Sequence, residues 1–215
     1  IGRDLLEKCC KIKDLAAVEL FATLNNIQAG PIFHALSELD SRIQIFGGGA
    51  NSYDPRRPGF IFARKGVFLR GILAICFAGK GLHVHMNSNI GWKPLGNPLA
   101  ITQMGDQDYI VKELNHQPAI SVYKPYLNLT PHNNFLQETL AFPFILQRNG
   151  QSIVRHPIDY RSDGSLVFAG DFKPNEKIRL SYGNPSEILK SAQESRRDIA
   201  EFGPEGILLF SCIGD

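Results

Sequence analysis

Long apolar runs are missing from this chain. Stretches such as Gly71-Ile72-Leu73-Ala74-Ile75-Cys76-Phe77-Ala78-Gly79 fall well short of the roughly 20 residues a spanning helix needs, so they read as buried strands and no membrane insertion is expected. A basic start followed by an apolar core and a cleavage site is also missing, which gives no sign of secretion and makes the cytoplasm the expected compartment. Cysteine is scarce. The four present, Cys9, Cys10, Cys76 and Cys212, contain no Cys-x-x-Cys spacing, and two are immediate neighbours. That pattern suits neither a disulfide framework nor a zinc site, and reduced thiols are the simplest reading. Charge of one sign is scarce as well. Lys and Arg exceed Asp and Glu by two, for a net charge of +2, so the balance is read as giving neither a nucleic-acid footprint nor a polybasic membrane anchor.

What is present is the composition of a globular protein with a substantial core: 215 residues, 43% apolar and 20% charged. The opening segment Asp4–Ile12 sets Leu5, Leu6, Cys9 and Ile12 on one helical face. Ala17–Ala22 reads as a strand, and Gly30-Pro31 opens a helix with Phe33, Leu36 and Leu39, together with Ile32 and Ala35, inward. Ile43–Phe46 is a second strand. Strand, helix and strand in about thirty residues form a right-handed crossover, so the two strands are expected to be parallel and buried.

From Phe60 to Met86 the signals turn to closely spaced strands, Phe60–Ala63, Val67–Ala78 and Leu82–Met86, with turns at Lys65-Gly66 and Gly79–Gly81. Ile101–Asn115 reads as an antiparallel pair turning at Gly105-Asp106, and Pro118–Tyr126 as helical. After an Asn- and Pro-rich loop, Phe142–Leu146 reads as a strand, and Ile153–Arg155 and Leu166–Ala169 as a hairpin through Ser162-Asp163-Gly164. Asn184 as cap, Pro185 at the first position and Glu187 three after the cap define a last helix, with Ile188, Leu189, Ala192 and Ile199 inward and Gly203-Pro204 as its stop. Ile207–Phe210 is a continuous apolar strand, expected to be covered on both faces, and it echoes Val18–Ala22, which also follows an amphipathic helix. The fold class read from this is α/β, an α+β mixture: a parallel or mixed sheet from βαβ units plus antiparallel hairpin meanders. The main boundary falls between Leu82 and Ile101.

Few residues carry chemistry. Gly47-Gly48-Gly49-Ala50 follows a parallel strand at its carboxyl end, where glycine lets backbone amides approach a ligand. A pocket wall and a plain turn both fit, while the spacing matches neither a dinucleotide fingerprint nor a P-loop. Ser211-Cys212 ends the last strand beside the expected position of Asn25-Asn26, and with no histidine near it in sequence Cys212 reads as a buried, inert thiol. No Gly-x-Ser-x-Gly elbow occurs. His83 and His85 alternate in the Leu82–Met86 strand and share a face, yet a metal usually wants a third ligand, so hydrogen-bonded histidines fit better. His156, between Arg155 and Pro157, meets a ligand or closes a turn. The lone tryptophan lies in Gly91-Trp92-Lys93-Pro94-Leu95-Gly96, which reads as a rigid joint between subdomains, with contact to an apolar pocket second.

Four stretches then carry a resemblance: Phe46-Gly47-Gly48-Gly49-Ala50, Gly91–Gly96, Val111–Ala119, and the run from Gly164-Ser165-Leu166 through Leu209-Phe210-Ser211-Cys212-Ile213-Gly214. In order and spacing they resemble the FIST family of sensor domains. The resemblance implies two similar halves, a FIST N-terminal-like half over 1–90 and a FIST C-terminal-like half over 91–215, with both outer ends expected to be cut short. It also implies a non-catalytic, bacterial sensory input domain that binds a small-molecule ligand, an amino acid or related metabolite. Such a domain regulates a C-terminal signalling output domain, such as a GGDEF-type diguanylate cyclase, and a homodimer is compatible with the reading. The expected ligand-binding residues are Asn25, Gly48, Gly49, Trp92, Arg155 and Ser211, with no catalytic residue, no metal and no nucleic acid. No cofactor is required by this reading. Its alternative is a haem-binding nitric-oxide sensor, for which His34, His83, His85 and His156 offer axial ligands without matching a motif.

Overall fold

A computed structural model of the chain describes residues 1–23, 30–50, 58–88, 90–127, 129, 135–148 and 150–210. These divide into two compact units, one of residues 1–87 with 202–210, the other of residues 88–201.

The first unit begins with helix α1 (Gly2–Cys10), whose Leu6 and Cys9 are buried. Strand β1 (Leu15–Thr23), helix α2 (Gly30–Leu36) and strand β2 (Gln44–Ala50) follow. β1 and β2 pair in parallel, Val18 opposite Ile45 and Leu20 opposite Gly47, as the crossover pattern requires. The hairpin β3 (Ile61–Ala63) and β4 (Gly66–Phe68) precedes β5 (Ile72–Ala78), which pairs antiparallel with β1. The main sheet thus runs β2-β1-β5, and the hairpin is a two-stranded sheet of its own. Alternation along β1 sorts the core. Val18 and Leu20 pack with Leu6, Cys9, Ile32 and Leu36 under the helices. On the opposite face Phe46 sits 6.2 Å from Phe77 and 5.7 Å from Phe210, ring centre to ring centre.

The second unit is built on antiparallel pairing. β6 (Trp92–Met104), β7 (Ile110–Leu114) and the short β8 (Gln117–Pro118) lead into a 3-10 turn at Ala119–Tyr123, then helix α3 (Phe135–Thr139). β9 (Phe144–Arg148), β10 (Gln151–Arg155), β11 (Pro157–Tyr160), β12 (Leu166–Phe168) and β13 (Lys177–Gly183) complete the sheet, and α4 (Pro185–Phe202) closes it. Strand order is β10-β9-β13-β6-β7-β12-β11, with β8 on β7. Its core gathers Tyr123, Phe144, Leu166, Phe168, Ile178 and Leu180. The α4 cap forms as its sequence dictates: the Asn184 side-chain oxygen accepts from the amides of Ser186 at 3.1 Å and Glu187 at 3.3 Å.

Several expectations are corrected. Gly47–Gly49 do not turn but extend β2, because β1 continues beside them as a pairing partner as far as Thr23. Leu82–Met86 forms no strand, so His83 and His85 share no pleated face. Gly91–Gly96 is not a loop-like joint; from Trp92 it is strand, drawn out by pairing with β13, Trp92 opposite Gly183. β10 pairs with β9 rather than β12, and β12 turns back onto β11, since the chain breaks direction between Arg155 and Pro157 and starts a new strand. No residue of α4 is buried, and Leu189 is 64% exposed. Ile207–Phe210 pairs with no described strand and lies exposed, so its likeness to Val18–Ala22 stops at composition.

Candidate functional site

The second unit holds an open aromatic groove of about 480 Å³, lined by Trp92, Leu95, Tyr126, Ala141, Phe142, Tyr182 and Gly183. Trp92 and Leu95 come from the start of β6, and Tyr182 and Gly183 from the end of its partner β13. Tyr126 follows the 3-10 turn. A Cβ at Gly183 would make ordinary contact with the Trp92 ring at 3.4 Å, whereas glycine is needed at Gly91, where a Cβ would fall on Ile188 of α4.

The wall formed by Ala141 and Phe142 is tied from behind. The Tyr123 hydroxyl donates to the Phe142 carbonyl at 2.8 Å, and the Ser181 hydroxyl donates to the Pro143 carbonyl at 2.7 Å. Burial pushes the Tyr123 hydroxyl far above its ordinary pKa, so it stays a donor. Tyr126 and Phe142 stack at 6.4 Å, and Trp92 presents its other side to His156, edge to face at 5.9 Å. An ion pair between Lys93 and Glu187, 3.0 Å, joins β6 to the first turn of α4. Among the described residues the groove lining contains no ionised side chain. Such a surface binds by apolar contact, ring stacking and attraction of a cation to ring faces.

The expected ligand-binding residues are scattered by the structure. Trp92 lines the aromatic groove. Arg155 belongs to the same unit, but its guanidinium donates to the Asp171 carboxylate at 3.0 Å and to the Asp171 carbonyl at 3.2 Å. Arg148 completes that cluster, reaching Glu176 at 2.6 Å and Asp171 at 2.9 Å. Burial works to raise the carboxyl pKa of both acids, yet the guanidiniums outweigh it and hold Asp171 and Glu176 below their ordinary values. Arg155 is thereby occupied in a structural cluster. Gly48 and Gly49 lie exposed on β2 of the first unit. Asn25 and Ser211 lie outside the described residues, as does Cys212.

The remaining candidates are also placed. Cys9 is buried and hydrogen-bonds with Cys76; burial first, and Cys76 second, push its thiol up to about 11, which makes it a poor nucleophile. His83 lines a second, more polar groove of about 820 Å³ in the first unit, in company with Asp14, Glu38, Asp40, Arg42 and Lys80. His85 stacks on Phe202 at 5.2 Å. Among the described residues no three His, Cys, Asp or Glu side chains gather as a metal site.

Sequence reasoning found Trp92 and missed Tyr126, Phe142 and Tyr182. The signal for Tyr182 was present, since β13 is a strand whose Tyr182-Gly183 end is the natural partner of Trp92. Tyr126 and Phe142 meet only through a long-range fold-back that no local pattern encodes.

Two family patterns match the chain in succession, the FIST N domain over residues 1–117 and the FIST C domain over residues 119–214. No curated protein and no solved structure matches. The N match runs past the division between the units, so Trp92 and Leu95 come from the N-matched segment and the other groove residues from the C-matched one.

Proposed function

The chain belongs to the FIST family, whose domains are sensory domains of signal transduction proteins, and on that premise we propose that its aromatic groove receives a small apolar or aromatic ligand. A single observation carries the reading: the groove is assembled from both matched segments and walled by four aromatic rings. Within the metabolite class that the resemblance implies, this lining favours an amino acid with an apolar or aromatic side chain, because an uncharged wall stabilises the side chain and leaves the polar end at the open mouth. The chain acts by binding rather than by catalysis. Cys9 is a buried thiol of high pKa, and among the described residues no base–nucleophile pair lines the groove.

Signalling on this reading is a population shift. The ligand favours one arrangement of the residues around the groove over another, and only its differential affinity for the two moves an attached output module, such as a diguanylate cyclase. The haem alternative fits less well. Among the described residues no histidine lines the aromatic groove.

Calorimetric titration with phenylalanine, leucine and glutamate tests the proposal. Phenylalanine and leucine are expected to bind and glutamate not to, and Tyr182→Ala is expected to weaken binding about tenfold or more through lost apolar contact. Arg42→Ala, on the first unit, leaves binding unchanged. Equal affinities in wild type and Tyr182→Ala would remove the groove from consideration.

A further inference from the structure

The near-neutral charge of the whole chain conceals a one-sided stretch. Between Pro55 and Gly105 there are seven Lys or Arg and no Asp or Glu. In the middle of that stretch lies the β3–β4 hairpin. Its register sets Ile61 opposite Phe68 and Phe62 opposite Val67, and continuing it by one residue sets Phe60 opposite Leu69. The two faces of this ribbon therefore differ. Ile61 turns inward, 6% exposed, with Gly71 against its tip. Phe60, Phe62, Val67 and Leu69 share the outer face, at 56%, 72%, 67% and 58% exposed.

Four large apolar side chains on one short ribbon make a patch of the size that marks an interaction surface, a few hundred Å². Cations frame it: Arg64 and Lys65 at the tip and Arg70 at the base are all exposed. We propose that this outer face is a peripheral docking surface for an anionic lipid bilayer. The occupant follows from chemistry. Phe, Phe, Val and Leu carry no hydrogen-bonding group, whereas a protein partner of standard interface composition asks for polar contacts across the patch. A lipid interface asks for none and rewards cations at headgroup level, on both sides of an apolar wedge. Length agrees as well. Strands of three residues span roughly 10 Å, the depth to which interfacial elements bury themselves. Among the described residues the ribbon pairs only with itself, so its outer backbone groups keep it at the wet boundary rather than in the hydrocarbon. This surface is independent of the groove and stands whether or not the groove binds an amino acid.

Co-sedimentation of the 215-residue chain with vesicles tests it, using phosphatidylcholine alone and phosphatidylcholine mixed with phosphatidylglycerol. Sedimentation with the mixed vesicles is expected, falling about tenfold without the anionic lipid or in high salt. Phe62→Ser with Val67→Ser is expected to abolish it at an unchanged melting temperature. Arg64→Ala with Lys65→Ala, which leaves the apolar face intact, is expected to lower it about tenfold. The proposal is overturned by absence of binding to the mixed vesicles, or by binding that both double variants retain. It is equally overturned if the chain dimerises and Phe62→Ser with Val67→Ser converts dimer to monomer without affecting vesicles, which would assign the face to a second copy.

Discussion

Replacement of Arg148 by alanine is expected to destabilise the second unit by about 3 kcal/mol, because it strands the part-buried Glu176 carboxylate and leaves Asp171 with one guanidinium. Arg148 is the hinge of the cluster. Its Nε donates to Glu176 at 2.6 Å, one terminal nitrogen donates to the Asp171 carboxylate at 2.9 Å, and the other donates to the Asp171 carbonyl at 3.0 Å. With Arg148 gone, Arg155 still answers Asp171, but the described structure offers Glu176 no second cation. The contrasting case is Arg42, bonded to Asp40 on an open surface where its side chain is 88% exposed. Arg42→Ala is expected to melt like wild type. Thermal unfolding of the two variants separates a clustered ion network from a surface pair.

The same cluster fixes a pH dependence. Asp171 and Glu176 titrate below their ordinary values when folded. Groups of that kind contribute stability above the unfolded carboxyl range, about pH 4, and lose it as pH falls through the folded values. Wild-type stability is therefore expected to fall in the acid window below about pH 4. In Arg148→Ala Glu176 loses its guanidinium while Asp171 keeps Arg155, so the acid slope flattens in part.

The second large effect belongs to the first unit. Gly47→Ala is expected to break the pairing of β1 with β2 and to cost more than about 3 kcal/mol, while Gly48→Ala is nearly silent. The two residues are neighbours on one strand, yet they meet different surroundings. Gly47 has φ +141, and a Cβ there would fall on the Leu20 carbonyl, with the Leu20 amide nitrogen at 2.7 Å. At Gly48 the nearest atom is a Phe210 ring carbon at 3.8 Å, an ordinary contact. Loss of the native circular-dichroism spectrum in Gly47→Ala, with Gly48→Ala melting like wild type, checks the contrast. It also gives Gly47 a role without a ligand, the close approach of two parallel strands.

The elements with local signatures were legible. The α1 face, the parallel crossover of β1, α2 and β2, and the Asn184-Pro185 start with its Gly203 stop are written in spacing and capping chemistry. What the sequence hid were pairings. Ile207–Phe210 has the composition of a doubly covered strand, but composition cannot supply a neighbouring strand, and only Phe210 finds ring partners, in Phe21 and Phe46. Arg155 looked available because an arginine's partner is invisible in sequence when it lies sixteen residues away at Asp171. The groove was legible in one residue of its wall, Trp92, since its other rings arrive from three later segments. The basic stretch around the hairpin was legible too, and was lost in a whole-chain sum.

Trp92 is the single tryptophan and lines the proposed site, so its fluorescence reports on that site without interference. The most direct test is a titration of the unmodified chain with phenylalanine, followed through Trp92 emission and repeated on Tyr182→Ala. The account predicts a saturable change in wavelength or intensity that the variant shifts to about tenfold higher ligand concentration. Saturable binding by calorimetry with no change in Trp92 emission would contradict it and place the ligand elsewhere in the chain.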